Sequence, residues 1–188
     1  MYRIVFGISG ATEMPLAKAI LEAFATIPDL EIHCIVSKNA HQVLAVECEQ
    51  SSSFFTKLAK RCYDPNDMSI GPSSGSWQHD GMIVCPCSMS TLASIASGCG
   101  TNAIHRAADV TLKERRPLVL VPRETPLSLI HLRNMLHAHE SGACIMPFMP
   151  PFYTTTPTIE SMMHHFAGRL LDQLSIPHTL IPRWRDDV

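Results

Sequence analysis

Arg123 and Glu124 are the pair whose types and placement first suggest chemistry. They follow Leu118 to Val121, an apolar run between Pro117 and Pro122. Such a run, bounded by turn residues, suits a strand buried on both faces. Ligands of open parallel α/β sheets bind beyond the carboxyl ends of the strands. A cation beside an acid at that place suits an anion whose conversion also moves a proton. An ordinary solvated pair would do nothing; position at the strand end is what favours a site. Lys113, Glu114, Arg115 and Arg116 read instead as a solvated helix end, where the helix dipole favours cations.

Small polar residues gather at the other expected strand ends. Gly7-Ile8-Ser9-Gly10-Ala11-Thr12 follows a first strand, Arg3 to Phe6, and leads into a helix with Leu16, Ile20, Leu21 and Phe24 on one face. Thr12 is the expected N-cap, with Pro15 in the first turn. A strand, a Gly-rich turn and a helix can cradle a phosphate, although this turn is neither a full GxGxxG nor a P-loop. Ser37 closes a second strand, Ile32 to Val36, and Ser88-Met89-Ser90-Thr91 comes after a third, Met82 to Cys85. Together with Arg123 these ends outline a pocket along one sheet edge, suited to a phosphorylated cofactor.

The elements that must hold them alternate strand with helix, which is the α/β pattern. A helix from about Ala40 is expected to carry Val43, Leu44 and Val46 inward, with Glu47 near its end. Phe54 to Cys62 reads as another short helix. Asp64 to Asp80 is a Pro-, Ser- and Gly-rich loop long enough to suggest function or an interface. Leu92, Ile95 and Ala96 lie on a helix that Gly98 ends, and Ser128 to His139 form one that Gly142 ends. Ala143 to Met146 is the fifth strand, and Pro147 to Thr158 a Pro-rich loop. Ile159 to Leu174 is the last helix; its stripe of Met162, Met163, Phe166, Leu170 and Leu171 reads as core, with Arg169 polar beside it. The tail from Ile176 to Val188 should pack on a neighbour or fold back.

Composition narrows the class. A chain of 188 residues suits one domain. With 46% hydrophobic and only 17% charged residues, subunit contacts are expected. A net charge of −2 without a basic block argues against nucleic acid. No apolar run approaches the roughly 18 residues that span a bilayer, and a strand pattern starting at the first residues leaves no signal peptide. A cytoplasmic protein is expected. The 7 cysteines, several in apolar runs, fit reduced buried thiols. Cys85 and Cys87 lack a second close pair, which argues against a metal site, and His137 and His139 read as surface residues.

Several stretches carry a family resemblance. They are Gly81-Met82-Ile83-Val84 with Pro86-Cys87-Ser88, Arg106 to Pro126, His131-Leu132 with Asn134-Met135, Pro151-Phe152-Tyr153, and Leu170 to Leu174 with Arg183-Trp184. In these the chain resembles the UbiX-type flavin prenyltransferases, in the branch associated with decarboxylation of phenolic and other aromatic acids. The resemblance implies a Rossmann-like flavoprotein fold, a doubly wound, mainly parallel sheet with helices on both faces, as a single domain over residues 1–188. It implies flavin mononucleotide (FMN) held between subunits of a homo-oligomer, usually a dodecamer, without a metal. The implied reaction moves a dimethylallyl group from dimethylallyl monophosphate to N5 and C6 of reduced FMN, for use by a UbiD-type decarboxylase.

By position, the resemblance implies that Gly10, Ala11, Thr12, Ser37, Ser88, Met89, Ser90, Thr91 and Arg123 bind the flavin nucleotide. Tyr153 and Arg169 would bind the prenyl phosphate, with Lys113 and Arg106 nearby or supplied by another subunit. Glu47 and Glu124 match acidic residues at the reaction centre. Fixed cations and a phenol hydroxyl would stabilise the departing phosphate, and Glu124 is the choice for handling the ring proton. One residue departs from the pattern: where the family has Gly-Ala-Ser-Gly or Gly-Ala-Thr-Gly, Glu13 replaces the last glycine. The favoured expectation puts Glu13 harmlessly in the first helical turn, where its charge suits the dipole; the alternative has it repel a phosphate or narrow the pocket. Two rival functions remain at this point, an FMN-binding decarboxylase subunit and a non-catalytic flavin carrier. The thiol-decarboxylating relatives depend on an active-site histidine and an Asn-bearing third-strand motif; here Pro86-Cys87-Ser88 stands in that place, and His41 is the local histidine candidate.

Overall fold

The computed structural model describes residues 1–48, 53–152 and 158–183. At its centre is a six-stranded sheet in the order β3-β2-β1-β4-β5-β6. The strands are β1 (Tyr2–Ile8), β2 (Leu30–Val36), β3 (Arg61–Tyr63), β4 (Gly81–Cys87), β5 (Leu118–Pro122) and β6 (Cys144–Ile145). Every pairing is parallel. β4 and β5 are buried along their whole length. That is why their residues form apolar runs rather than alternating with polar ones.

Helices cover both faces. On one side α1 (Met14–Phe24), α2 (Lys38–Cys48), α3 (Ser53–Leu58) and α7 (Ile159–Gln173) pack on Phe6, Ile8, Cys34, Val36 and Cys85. On the other α4 (Met89–Ser97), α5 (Ala103–Lys113) and α6 (Leu129–Glu140) pack on Val5, Ile35, Val84 and Leu120. The alternation of partners along each strand follows from the period-two side-chain geometry. Winding therefore reverses between β1 and β4, whose following helices go to opposite faces. This is the doubly wound, Rossmann-like arrangement, and its crevice lies at that reversal.

Several expectations are corrected. Phe54 to Cys62 is not one helix: Arg61–Tyr63 pairs with His33, Cys34 and Ile35 and forms the edge strand. Pairing satisfies backbone groups that β2 would otherwise leave open, and this outweighs the local helical pattern. Val46 does not point inward; it is 82% exposed, because Ala40 and Leu44, four apart, carry the inner face of α2 and Val46 lies across the helix from them. Thr12 is not the cap of α1; Glu13 is. Nor is Arg116 solvated: it donates to the carbonyls of Trp77 (3.0 Å) and Gly75 (2.9 Å), fastening the 64–80 loop.

Other boundaries hold closely. Ser88 and Ser128 cap α4 and α6, and Gly98 (φ 68°) and Gly142 (φ 107°) stand in the left-handed region after them, as C-terminal glycines do. The tail folds back through Ile176 and Ile181, both buried, and through Arg183, which donates to Asp172 at 2.7 Å. Trp184 lies outside the described residues. Among those described, no helix is long and apolar enough to cross a membrane.

Candidate active site

The reversal between β1 and β4 is stitched by Ser9. Its hydroxyl donates to the Pro86 carbonyl at 2.8 Å and accepts from the Ser88 N–H at 2.7 Å. The side chain is fully buried, so both bonds are shielded from water. Ser88 is thereby held with its own hydroxyl facing the first turn of α4. That hydroxyl accepts from the Thr91 N–H at 3.3 Å, lies 3.2 Å from the Ser90 hydroxyl and donates to Thr91 Oγ1 at 3.1 Å. Ser88, Met89, Ser90 and Thr91 thus form one patch of hydroxyls and backbone donors at a helix N-terminus, a place that favours anions.

Neighbouring strand ends join the same rim. Ser37 N–H bonds the Ile8 carbonyl at 2.9 Å, tying the end of β2 to that of β1. The Ser37 hydroxyl accepts from Ala40 at the start of α2. Gly10 lies so close to α2 that a Cβ there would come within 2.4 Å of Asn39 Cβ, so only glycine lets Gly10, Ala11 and Thr12 pass. Arg123 N–H reaches the Cys87 carbonyl at 3.2 Å, joining the end of β5 to that of β4. Glu124 is exposed, with one carboxylate oxygen accepting from Thr125 N–H at 3.0 Å. The loop tips read from the sequence therefore stand on consecutive strands at one sheet edge. Their donors, hydroxyls and N–H groups with one guanidinium, fit the phosphate and hydroxyl-bearing chain of a flavin nucleotide.

Glu47 reaches across from α2 and accepts from the Met14 N–H at 2.8 Å. It therefore supplies the side-chain bond that Glu13, the N-cap residue of α1, does not make, placing a negative charge at the helix's positive end. The phosphate cradle expected at the first turn of α1 is in part filled by this carboxylate.

Glu13 does not behave as expected. Its backbone sits at φ 85° and ψ 28°, left-handed, with no side-chain cap bond. A side chain in that region costs about 1–2 kcal/mol relative to glycine. The carboxyl is drawn inward, and Oε2 is buried without a hydrogen-bond partner. Leaving such an atom unsatisfied costs roughly 1–3 kcal/mol. Burial pushes the Glu13 carboxyl above the usual carboxylate range; Arg123 opposes that rise, and Glu47 adds to it. Sequence patterning could not reveal this, because a Glu in a first turn is ordinarily favourable. The signal lay in the glycine that the position calls for.

The remaining expected residues are less centred on this rim. Arg106 pairs with Asp109 at 2.5 Å and donates to the Ser73 carbonyl at 3.3 Å, and Lys113 pairs with Glu114. Both stand on α5 and have local partners. Arg169 on α7 is exposed and pairs with Asp172 at 2.7 Å. Tyr153 lies outside the described residues. Burial pushes the Cys87 thiol up to about 12, and Cys85 is raised as well. Neither supplies a thiolate near neutral pH. No group of three or more His, Cys, Asp or Glu among the described residues could hold a metal ion.

Comparison with known proteins bears on this arrangement. The family described as Flavoprotein matches residues 1–167. The chain is 43% identical over 187 residues to the flavin prenyltransferase LpdB of Lactiplantibacillus plantarum, covering 100% of both chains. The crystal structure of AnUbiX (PadA1) in complex with FMN and dimethylallyl pyrophosphate superposes with a TM-score of 0.93 at 44% identity, over 98% of this chain and 97% of that one. A dodecameric FMN-dependent UbiX-like decarboxylase from Escherichia coli O157:H7 gives a TM-score of 0.92 at 44% identity, over 97% and 99% of the two chains.

Proposed function

This chain belongs to the flavoprotein family, among the UbiX-type flavin prenyltransferases, and from that premise we propose how its own residues carry the reaction. The enzyme joins the dimethylallyl group of dimethylallyl monophosphate to N5 and C6 of reduced FMN. The observation that carries this reading is the rim itself, where Ser37, Gly10, Ser88 and Arg123 follow the ends of the consecutive strands β2, β1, β4 and β5 around the β1–β4 reversal. FMN, when bound, supplies the nucleophilic ring that accepts the prenyl group.

Gly10, Ala11, Thr12 and Ser37 line the nucleotide on one side, and Ser88, Met89, Ser90, Thr91 and Arg123 on the other. Arg169 and Tyr153 hold the prenyl phosphate, and Arg106 and Lys113 approach it from a neighbouring subunit. Cleaving an allylic C–O bond leaves the electron pair on phosphate, and fixed cations stabilise that charge without rearranging as it forms. Closing the ring at C6 would use up the allyl double bond, which gains one proton as the ring carbon loses another; Glu124 would take the proton that is lost, and its exposure links it to solvent. Glu47 keeps the first turn of α1 in place. Holding both reactants in one orientation supplies much of the remaining acceleration.

The finer setting belongs to the same proposal. Residues 1–188 form one flavin-binding prenyltransferase domain, acting in the cytoplasm as a homo-oligomer, by analogy with the dodecameric relative. The prenylated flavin passes to a UbiD-type decarboxylase. The test is direct: purified protein, reduced FMN and dimethylallyl monophosphate are incubated without oxygen, and the flavin is weighed by mass spectrometry. A flavin heavier by one prenyl unit is expected, with Glu124→Gln and Arg169→Ala slowing its appearance. An unchanged flavin, or release of carbon dioxide from an aromatic acid by this chain alone, would overturn the reading.

A further inference from the structure

We infer that Glu13 is a positioning residue that sets how much of the Arg123 positive charge is available to a phosphorylated ligand. The inference rests on the reading of the rim as a flavin prenyltransferase site. Its first support is the backbone: a side chain stands at φ 85°, where glycine would be at ease. Such strain persists when surrounding structure holds it, and it concentrates at functional sites. The second is the carboxyl, which is turned inward with Oε2 buried and unpartnered.

The third support is what faces it. The Arg123 charge, in the loop after β5, acts on the carboxyl and favours its ionised form, while Glu47 on α2 disfavours it; neither side chain forms an ion pair or hydrogen bond with the buried Oε2. Glu47 is already tied to the Met14 N–H. Glu13 Oε2 has no such bond, and burial disfavours a charge on it. While it holds its proton, Arg123 faces one acid. Once the proton leaves, a second negative charge beside Glu47 draws on the guanidinium and repels an incoming phosphate. Burial favours the protonated form, so the change falls above the ordinary carboxylate range. Glu13 then acts through Arg123 and touches no reacting atom.

Two phosphorylated ligands could be the beneficiary, FMN or the allyl phosphate, and separate measurements tell them apart. Dissociation constants for FMN come from quenching of flavin fluorescence, and KM for dimethylallyl monophosphate from prenylation at saturating reduced FMN. Each is followed from about pH 5.5 to about pH 8 in the wild type, Glu13→Gln and Glu13→Gly. The ligands' own phosphate titration is common to all three proteins and cancels in the comparison. Wild-type affinity for one of the two ligands should fall by about tenfold with rising pH, a one-unit effect on binding. Glu13→Gln, neutral at every pH, should keep the low-pH affinity throughout. Glu13→Gly should do the same on a relaxed backbone, so a folding defect in one variant leaves the other to decide. A change confined to FMN assigns Arg123 to the flavin phosphate; one confined to KM assigns it to the donor. Superimposable profiles for all three proteins in both measurements would overturn the inference while leaving the prenyltransferase reading intact. A wild type that neither binds nor prenylates FMN at any pH would overturn both.

Discussion

At the scale of single residues, Ser9 and Glu13 show two opposite ways of building a loop against a ligand. Ser9 is buried and fully satisfied, with its one hydroxyl serving two strands. Glu13 is half-buried and unsatisfied, on a backbone that its side chain disfavours. Glu13→Gly should therefore stabilise the fold. Release of the left-handed penalty and of the orphaned oxygen exceeds the roughly 0.5–1 kcal/mol that glycine's extra chain freedom removes. A net gain of about 1–2 kcal/mol corresponds to a rise in Tm of about 2–8 °C for a chain of this size. Calorimetry of the ligand-free protein checks it, and a lower Tm for the variant would mean that the Glu13 side chain makes stabilising contacts in the folded state. Ser9 was visible in the sequence only as one of several small polar residues after β1. Its clamp joins Pro86 and Ser88, 77 and 79 residues away, and separations of that kind carry no local pattern.

Elements were more legible than the residues between them. The helical stripe of α7 and the apolar runs of β1, β2, β4 and β5 were readable because burial on one stripe or both faces imposes a period or a run. Arg61–Tyr63 escaped because a three-residue edge strand has too little length for either. The 64–80 loop was legible as long and unusual, but not as fastened. What fastens it is a relay from α5. Thr111 donates its hydroxyl proton to the Ala107 carbonyl at 2.7 Å, so at 3.0 Å it must accept from His79 Nε2–H. His79 Nδ1 then accepts from Arg116 at 2.8 Å. Protonating Nδ1 would set two donors against each other. Burial first, and then the Arg116 charge, lower the His79 imidazole from 6.5 to about 4. The sign follows from that depression: above pH 6.5 the ring is neutral in both states and pH has no effect through it. As pH falls from 6.5 towards 4, the unfolded chain takes up a proton that the folded one resists, and stability is lost. The loss should reach up to about 3 kcal/mol at the acid end. Urea midpoints measured across that range should decline in the wild type and decline less in His79→Gln. Parallel declines would show that another group sets the acid limb.

The whole molecule presents a surface that a lone chain has little reason to keep. Leu129 (61% exposed), Ile130 (67%), Leu132 (49%) and Leu136 (53%) lie along α6, and Leu127 precedes them. Only Ala138 of that helix is buried, although its capping box and the Gly142 stop give it well-formed ends. A well-defined helix with large apolar side chains facing water is what a subunit contact looks like from one side. The proposed site asks for the same thing from another direction. Arg106 and Lys113 have local partners, Asp109 on α5 and Glu114 just after it, so if they serve the prenyl phosphate they do so across an interface. Assembly and catalysis should then fail together. Leu132→Lys with Leu136→Lys would place two charges where two buried leucines are expected, forfeiting about 3 kcal/mol or more of apolar burial at each contact. Sedimentation should show the wild type as a large oligomer and the double variant as smaller species with unchanged circular dichroism. Prenylation by the variant should fall by at least about tenfold, the factor that corresponds to 1.4 kcal/mol. An assembled double variant would move the contact away from α6. A dissociated one with full activity would mean that each chain holds a complete site, and would remove Arg106 and Lys113 from the mechanism.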